Sequence, residues 1–79
     1  MKTDLTAMAF PNPTSGSIQL QAQQPITNVT LYDMLGRVLW TAEGPDTTFE
    51  LDLSLFPRAT YLLRYQTAGV WQVKQIVRQ

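Results

Sequence analysis

Thr48-Phe49-Glu50-Leu51-Asp52-Leu53 alternates polar and apolar side chains without a break. In an extended chain successive side chains point to opposite faces. Phe49, Leu51 and Leu53 therefore line one face, and Thr48, Glu50 and Asp52 the other. This is the pattern of a half-buried β-strand. Just before it Gly44-Pro45-Asp46 breaks the chain, and before that Arg37 to Thr41 reads as a strand with Val38 and Trp40 on one face. After it Pro57 ends a loop, and Thr60 to Gln66 sets Tyr61, Leu63 and Tyr65 on one side. Ala68-Gly69 then turns the chain into a strand from Val70 to Arg78. There Trp71, Val73 and Val77 share parity, while Gln75 interrupts and Ile76 points the other way. A bulge or two-sided burial near Gln75 accounts for that pattern.

Toward the N-terminus the same reading gives Ile26 to Tyr32 with Val29 and Leu31 inward, and Ser17 to Gln21 with Ile18 and Leu20 inward, separated by Pro25. Leu5 to Phe10 is the first strand and stops at Pro11. Seven short strands with turn residues between them predict an all-β chain folded as a sandwich of two packed sheets. The 79 residues allow one domain. Residues 1–8 read as the end of a linker and the start of the first strand, and 9–79 as the domain. No repeat or low-complexity segment interrupts it.

Composition narrows function by exclusion. There is no Cys and no His, so disulfides, zinc fingers, thiol nucleophiles and Ser-His-Asp triads are absent. Six Lys plus Arg balance six Asp plus Glu, and no basic stripe exists to neutralise phosphates, which argues against nucleic acid as a partner. No apolar run approaches the roughly 18 residues that span a bilayer. Met1-Lys2-Thr3-Asp4 leads into no apolar signal segment, so if the domain works outside the cytoplasm its export signal lies upstream. Glu50 and Asp52 share a polar strand face and read as solvated rather than as a catalytic pair. Asp33 and Asp46 come from distant turns, and no run resembles a calcium-binding loop. Neither metal nor cofactor is expected, and no catalytic residue is assigned. Trp40, Trp71, Tyr32, Tyr61 and Tyr65 suit core or sheet-edge packing better than a sugar platform. Asn28-Val29-Thr30 has the form of a glycosylation acceptor but lies inside a strand.

Two turns carry more information. In Pro11-Asn12-Pro13-Thr14-Ser15-Gly16 two prolines fix φ and remove donors, Thr14 and Ser15 can bond the local backbone, and Gly16 permits a positive φ. This reads as a rigid corner. In Asp33-Met34-Leu35-Gly36-Arg37, Asp33 can accept from amides two or more residues on, and Gly36 can supply a left-handed residue. This reads as a hairpin turn, with Arg37 placed to pair with Asp33.

Four stretches in order support a resemblance: Phe10 to Gly16, Val29 to Arg37, Asp52-Leu53-Ser54-Leu55-Phe56-Pro57, and Lys74-Gln75-Ile76-Val77-Arg78-Gln79. With these motifs the chain, from about Ala9 to Gln79, resembles the C-terminal sorting domain of the type IX secretion system of Bacteroidetes, type A. The resemblance implies a seven-stranded immunoglobulin-like β-sandwich at the C-terminal end of a larger exported protein. It implies a passenger fused on the N-terminal side, an outer-membrane translocon as partner, and a sortase-like peptidase that removes the domain at or before Met1 to Ala9. The passenger would pass through the periplasm to the cell surface or beyond. The family pattern Pro-x-Gly-Val-Tyr reads here Pro57-Arg58-Ala59-Thr60-Tyr61, with Ala59 in the glycine position. On this reading Gly36, Arg37, Lys74, Ile76, Val77 and Arg78 carry recognition, while Pro11, Asn12, Pro13, Gly16 and Asp33 build turns. Lys74, Ile76 and Arg78 share parity and would present two charges flanking an apolar residue. A terminal strand at a sheet edge offers unpaired backbone for strand addition, and equally for a homodimer. The rival class is an immunoglobulin-like adhesion or carbohydrate-binding module of a surface protein.

Overall fold

Pro25 and Gly44-Pro45 fall at two neighbouring irregularities of one strand ladder, which creases there. In the computed structural model, which describes residues 7–79, five strands follow in order: β1 (Ala7–Phe10), β2 (Ser17–Tyr32), β3 (Val38–Asp52), β4 (Ala59–Thr67) and β5 (Val70–Arg78). Residues 1–6, which include Leu5 at the start of the expected first strand and most of the expected linker, lie outside the described residues. All ladders are antiparallel. β2 pairs with β1 and then β4 along one side and with β3 along the other, and β4 pairs with β5.

The chain is all-β, as expected, but with five strands rather than seven in one curled sheet. Four of the expected strands are joined in pairs. Ser17 to Gln21 and Ile26 to Tyr32 are the two halves of β2, and Val38 to Thr41 and Thr48 to Asp52 lie in the two halves of β3. The residues that suggested boundaries are bulges. The β2–β3 register shifts between Gln21 and Ile26 and again between Ile26 and Asn28. A proline cannot donate to a ladder, yet it fits where pairing is already interrupted. A bulge also changes which parity faces inward. Ile18, Leu20 and Ile26 are buried on one side of the shift, and Val29 and Leu31 on the other. At the crease Gly44 lies so close to β2 that a Cβ there would be 2.1 Å from the Ile26 carbonyl oxygen.

Curling brings the apolar faces together. Ile18, Leu20, Ile26, Val29, Leu31, Leu51, Leu53, Tyr61, Leu63, Tyr65 and Ile76 are buried with Ala7, and Phe49 packs against them half-buried. Each fully buried Leu or Ile contributes about 1.5–3 kcal/mol relative to exposure. In the early part of β3 the expected face is split. A register shift between Leu31 and Tyr32 puts Leu39 opposite no partner, so Trp40 and Leu39 both pack on the core and Val38 is exposed.

β5 is the clearest departure. Its register with β4 is unbroken from Ala59–Arg78 to Thr67–Val70, so no bulge occurs at Gln75. Ile76 sits opposite the buried Tyr61 and is itself in the core, while Trp71, Val73 and Val77 face outward. The Tyr61, Leu63, Tyr65 face of β4 is fixed by burial, and the register then dictates which parity of β5 goes inward.

Candidate recognition surface

Asp33 builds the β2–β3 turn. Its amide donates to the Arg37 carbonyl at 3.0 Å, and its carbonyl accepts from the Gly36 amide at 3.1 Å. Its Oδ1 accepts from the amides of Leu35 and Arg37, both at 2.9 Å, and its Oδ2 accepts from Arg37 Nε at 2.6 Å. Gly36 takes φ 86°, the left-handed region expected of it. The hydrogen bond from the Arg37 amide, and then those from its side chain and the Leu35 amide, hold the Asp33 carboxyl below its ordinary value. The turn thus holds the Arg37 guanidinium by one edge while 72% of the side chain remains exposed. Met34 and Leu35 project at the tip, both exposed.

Beside this turn lies a depression of about 250 Å³. Met34, Leu39, Phe56, Pro57 and Tyr61 give it apolar walls, and Asp33, Arg37 and Thr60 stand among its lining residues. The Tyr61 hydroxyl donates to the Pro57 carbonyl and ties the loop to β4. Ala59, also in the lining, has no positive φ, so an alanine in the family's glycine position meets an ordinary backbone there.

The expected residues of the last strand are distributed differently from expectation. Ile76 is buried and reaches no surface. Lys74 and Arg78 share its inward parity and are half-buried, so this face does not present two charges around an apolar residue. Arg78 Nε donates to the Leu53 carbonyl at 2.9 Å, a structural bond. Val77 is exposed, as are Val73 and Trp71, and the Arg64 guanidinium lies 4.2 Å over the Trp71 ring. Tyr61 and Tyr65 are in the core and contribute nothing to an exposed aromatic platform. Asn28 lies mid-strand and donates through its side chain to Gln66 Oε1 at 2.9 Å.

The Pro11–Gly16 segment is more than a corner. Thr14 pairs with Arg78 in a parallel bridge: its amide donates to the Val77 carbonyl at 2.9 Å and its carbonyl accepts from the Gln79 amide at 2.8 Å. One rung earlier the Asn12 side chain takes over, with Nδ2 donating to the Gln75 carbonyl at 2.9 Å and Oδ1 accepting from the Val77 amide at 3.0 Å. β1 continues into this segment, so the ladders β1–β2–β4–β5 return upon themselves. The buried Thr14 hydroxyl donates to the Ser17 carbonyl at 2.8 Å and accepts from the Gly16 amide at 3.1 Å. Gly16 does not take the positive φ its type permits, because its carbonyl is already held in line by the Leu53 amide. That Asn12 spans to β5 was beyond sequence reasoning: the two lie 65 residues apart.

A family model described as "Secretion system C-terminal sorting domain" matches residues 8–79. The chain belongs to the secretion system C-terminal sorting domain family. As a type IX sorting domain it is a signal for export through the outer membrane to the cell surface or extracellular space. It accordingly implies a type IX secretion partner system and a fused passenger. No helix among the described residues of the sorting domain is long and apolar enough to cross a membrane. No curated protein matches the chain.

Proposed function

We propose that this sorting domain is read by the type IX outer-membrane translocon as a folded surface, and that the turn at Gly36-Arg37 is the part read. The observation that supports the reading is the Asp33 network, which fixes an exposed guanidinium beside an apolar depression. Recognition of a preformed shape avoids the entropy of ordering a flexible signal at the moment of binding. On the β5 side Val77 and Lys74 are the residues left at or near the surface for contact, while Ile76 and Arg78 act by holding the strand in place. The domain does no chemistry itself. A sortase-like peptidase cuts on its N-terminal side, at or before Ala9, and frees the passenger or joins it to a surface acceptor.

The test is export of a reporter bearing an N-terminal inner-membrane signal and this chain at its C-terminal end, in a host with a type IX system. Arg37→Gln is expected to abolish extracellular reporter while leaving the chain's melting temperature close to the parent's. Undiminished export would overturn the reading. Mass spectrometry of exported reporter decides cleavage: an intact sorting domain on the product would remove the peptidase step.

A further inference from the structure

We infer that the depression beside Arg37 is a socket for a polypeptide segment of the export machinery that carries one bulky apolar side chain next to a carboxylate. The inference rests on the reading that the Gly36-Arg37 turn is the recognised part, and it names the chemistry of the partner. Size argues first. Sites for small organic ligands run to about 300–1,000 Å³. A depression of about 250 Å³ suits a single large side chain delivered by a protein. Such anchors seated in preformed apolar pockets dominate the energetics of protein–protein contacts.

Charge argues second. Both Asp33 carboxylate oxygens are taken up inside the turn, and the Tyr61 hydroxyl is spent on the Pro57 carbonyl. Arg37 gives only Nε to Asp33, and its two outer nitrogens have no partner among the described residues. The rim thus presents oriented cationic donors above apolar walls. A carboxylate can take both outer donors while the neighbouring side chain enters the socket. A second cation at the rim would be repelled, and a purely apolar segment would leave the guanidinium unmatched. The Asp33 contact also removes much of the rotamer freedom of Arg37 before any partner arrives.

The first measurement uses the 79-residue chain, labelled with ¹⁵N, and three blocked tetrapeptides: acetyl-Gly-Phe-Glu-Gly-amide, the same peptide with Gln for Glu, and the same peptide with Ala for Phe. The Phe-Glu peptide is expected to shift the amide signals of Met34, Arg37, Leu39 and Thr60, with either replacement weakening binding about tenfold or more. Equal binding of all three peptides, or shifts confined to residues outside the socket, would overturn the inference. So would decanoate binding more tightly than the Phe-Glu peptide, because the site would then be one for a fatty acid.

The second measurement separates this inference from the broader reading by reporter export. Ala59→Phe fills the socket and leaves the Asp33–Arg37 pair in place. Loss of export with both Ala59→Phe and Arg37→Gln, each with a parental melting temperature, supports socket and turn together. Loss with Arg37→Gln alone overturns the socket and keeps the turn. Normal export with both overturns both. Should Ala59→Phe lower the melting temperature, Thr60→Lys, which sets a like charge at the rim, replaces it with the same expected loss.

Discussion

The side chain of Asn12 occupies the place of a strand beside Val77, accepting from its amide at 3.0 Å while donating to the Gln75 carbonyl at 2.9 Å. A carboxamide has the donor and acceptor of a peptide group, so it supplies one rung of a parallel ladder. The following rung is a true backbone pair at Thr14. Two prolines flank Asn12 and hold it extended, with no amide of their own to offer a further strand. A sheet edge is a template for unwanted pairing, and covering it is the usual remedy. The cover ends at Gln75. By the two-residue repeat, the outward backbone groups of Trp71 and Val73 continue the same edge without it.

Asn12→Ala removes two hydrogen bonds and opens the covered edge. The expected loss is about 1–3 kcal/mol in chemical denaturation, since each lost bond is worth about 0.5–1.5 kcal/mol. Sedimentation velocity is expected to show concentration-dependent self-association of Asn12→Ala and a smaller tendency in the parent, confined to Trp71–Val73. Association that does not grow on substitution would show that Asn12 does not guard the edge.

Gly36 and Ala68 are expected to respond in opposite directions. A Cβ on Gly36 meets nothing within 4 Å, so the cost of Gly36→Ala is conformational, about 1–2 kcal/mol for φ 86°. Ala68 already bears that cost at φ 50° in the β4–β5 turn, where asparagine or glycine is preferred. Ala68→Gly or Ala68→Asn is expected to raise stability by about 0.5–1 kcal/mol, read as a higher denaturation midpoint with unchanged slope.

Gly44→Ala tests the crease. The added carbon would overlap the Ile26 carbonyl oxygen at 2.1 Å and come within 2.7 Å of the Asp46 amide nitrogen, so backbone must move. A loss of about 3 kcal/mol is expected, at the upper end of the range for overpacked sites. Retention of the parental melting temperature would mean that the two strands do not approach so closely.

Acid is expected to destabilise the fold through two carboxylates. Asp33 is held below 3.8 by the Arg37 amide first, and Asp52 by the Ser54 hydroxyl first and its amide second. A carboxyl depressed in the folded state contributes stability that is present above its ordinary value and is lost as pH falls through the folded one. Denaturation midpoints should hold steady above about pH 5 and fall below about pH 4, and Asp33→Asn should flatten the fall. At the alkaline end burial raises the Tyr65 hydroxyl above 10.0, so its contribution is complete below that value and disappears as pH climbs through the raised one. Tyr65→Phe should blunt the alkaline loss.

The strands were legible in the sequence because strict alternation has a single structural meaning. Thr48 to Leu53 and Thr60 to Gln66 face as their pattern requires, and the Asp33–Arg37 turn has the geometry its residues predict. Strand number was not legible, because Pro25 and Gly44-Pro45 carry the same local signal whether a strand ends or creases. Which of the two occurs depends on the opposite strand. The face of β5 was misread for a similar reason. Three apolar residues outvote Ile76 locally, but the register with Tyr61 is set by contacts that no window of sequence contains. At the candidate site Arg37 could be read from the motif. The socket beside it could not, since its walls come from Leu39, Phe56 and Tyr61 on three separate segments.

The join between Asn12 and Val77 also fixes when the domain can fold. Contacts spanning 65 residues form late, because loop closure must precede any gain from them. Until β5 has been made, the Pro11–Gly16 segment has no strand to grip and Ile76 has not filled the core. Folding of this domain therefore waits on its last strand, and a passenger upstream of it has time to fold first. A message cut short anywhere in β5 yields a polypeptide with an open sheet, so the finished shape serves as a certificate that the strand is whole.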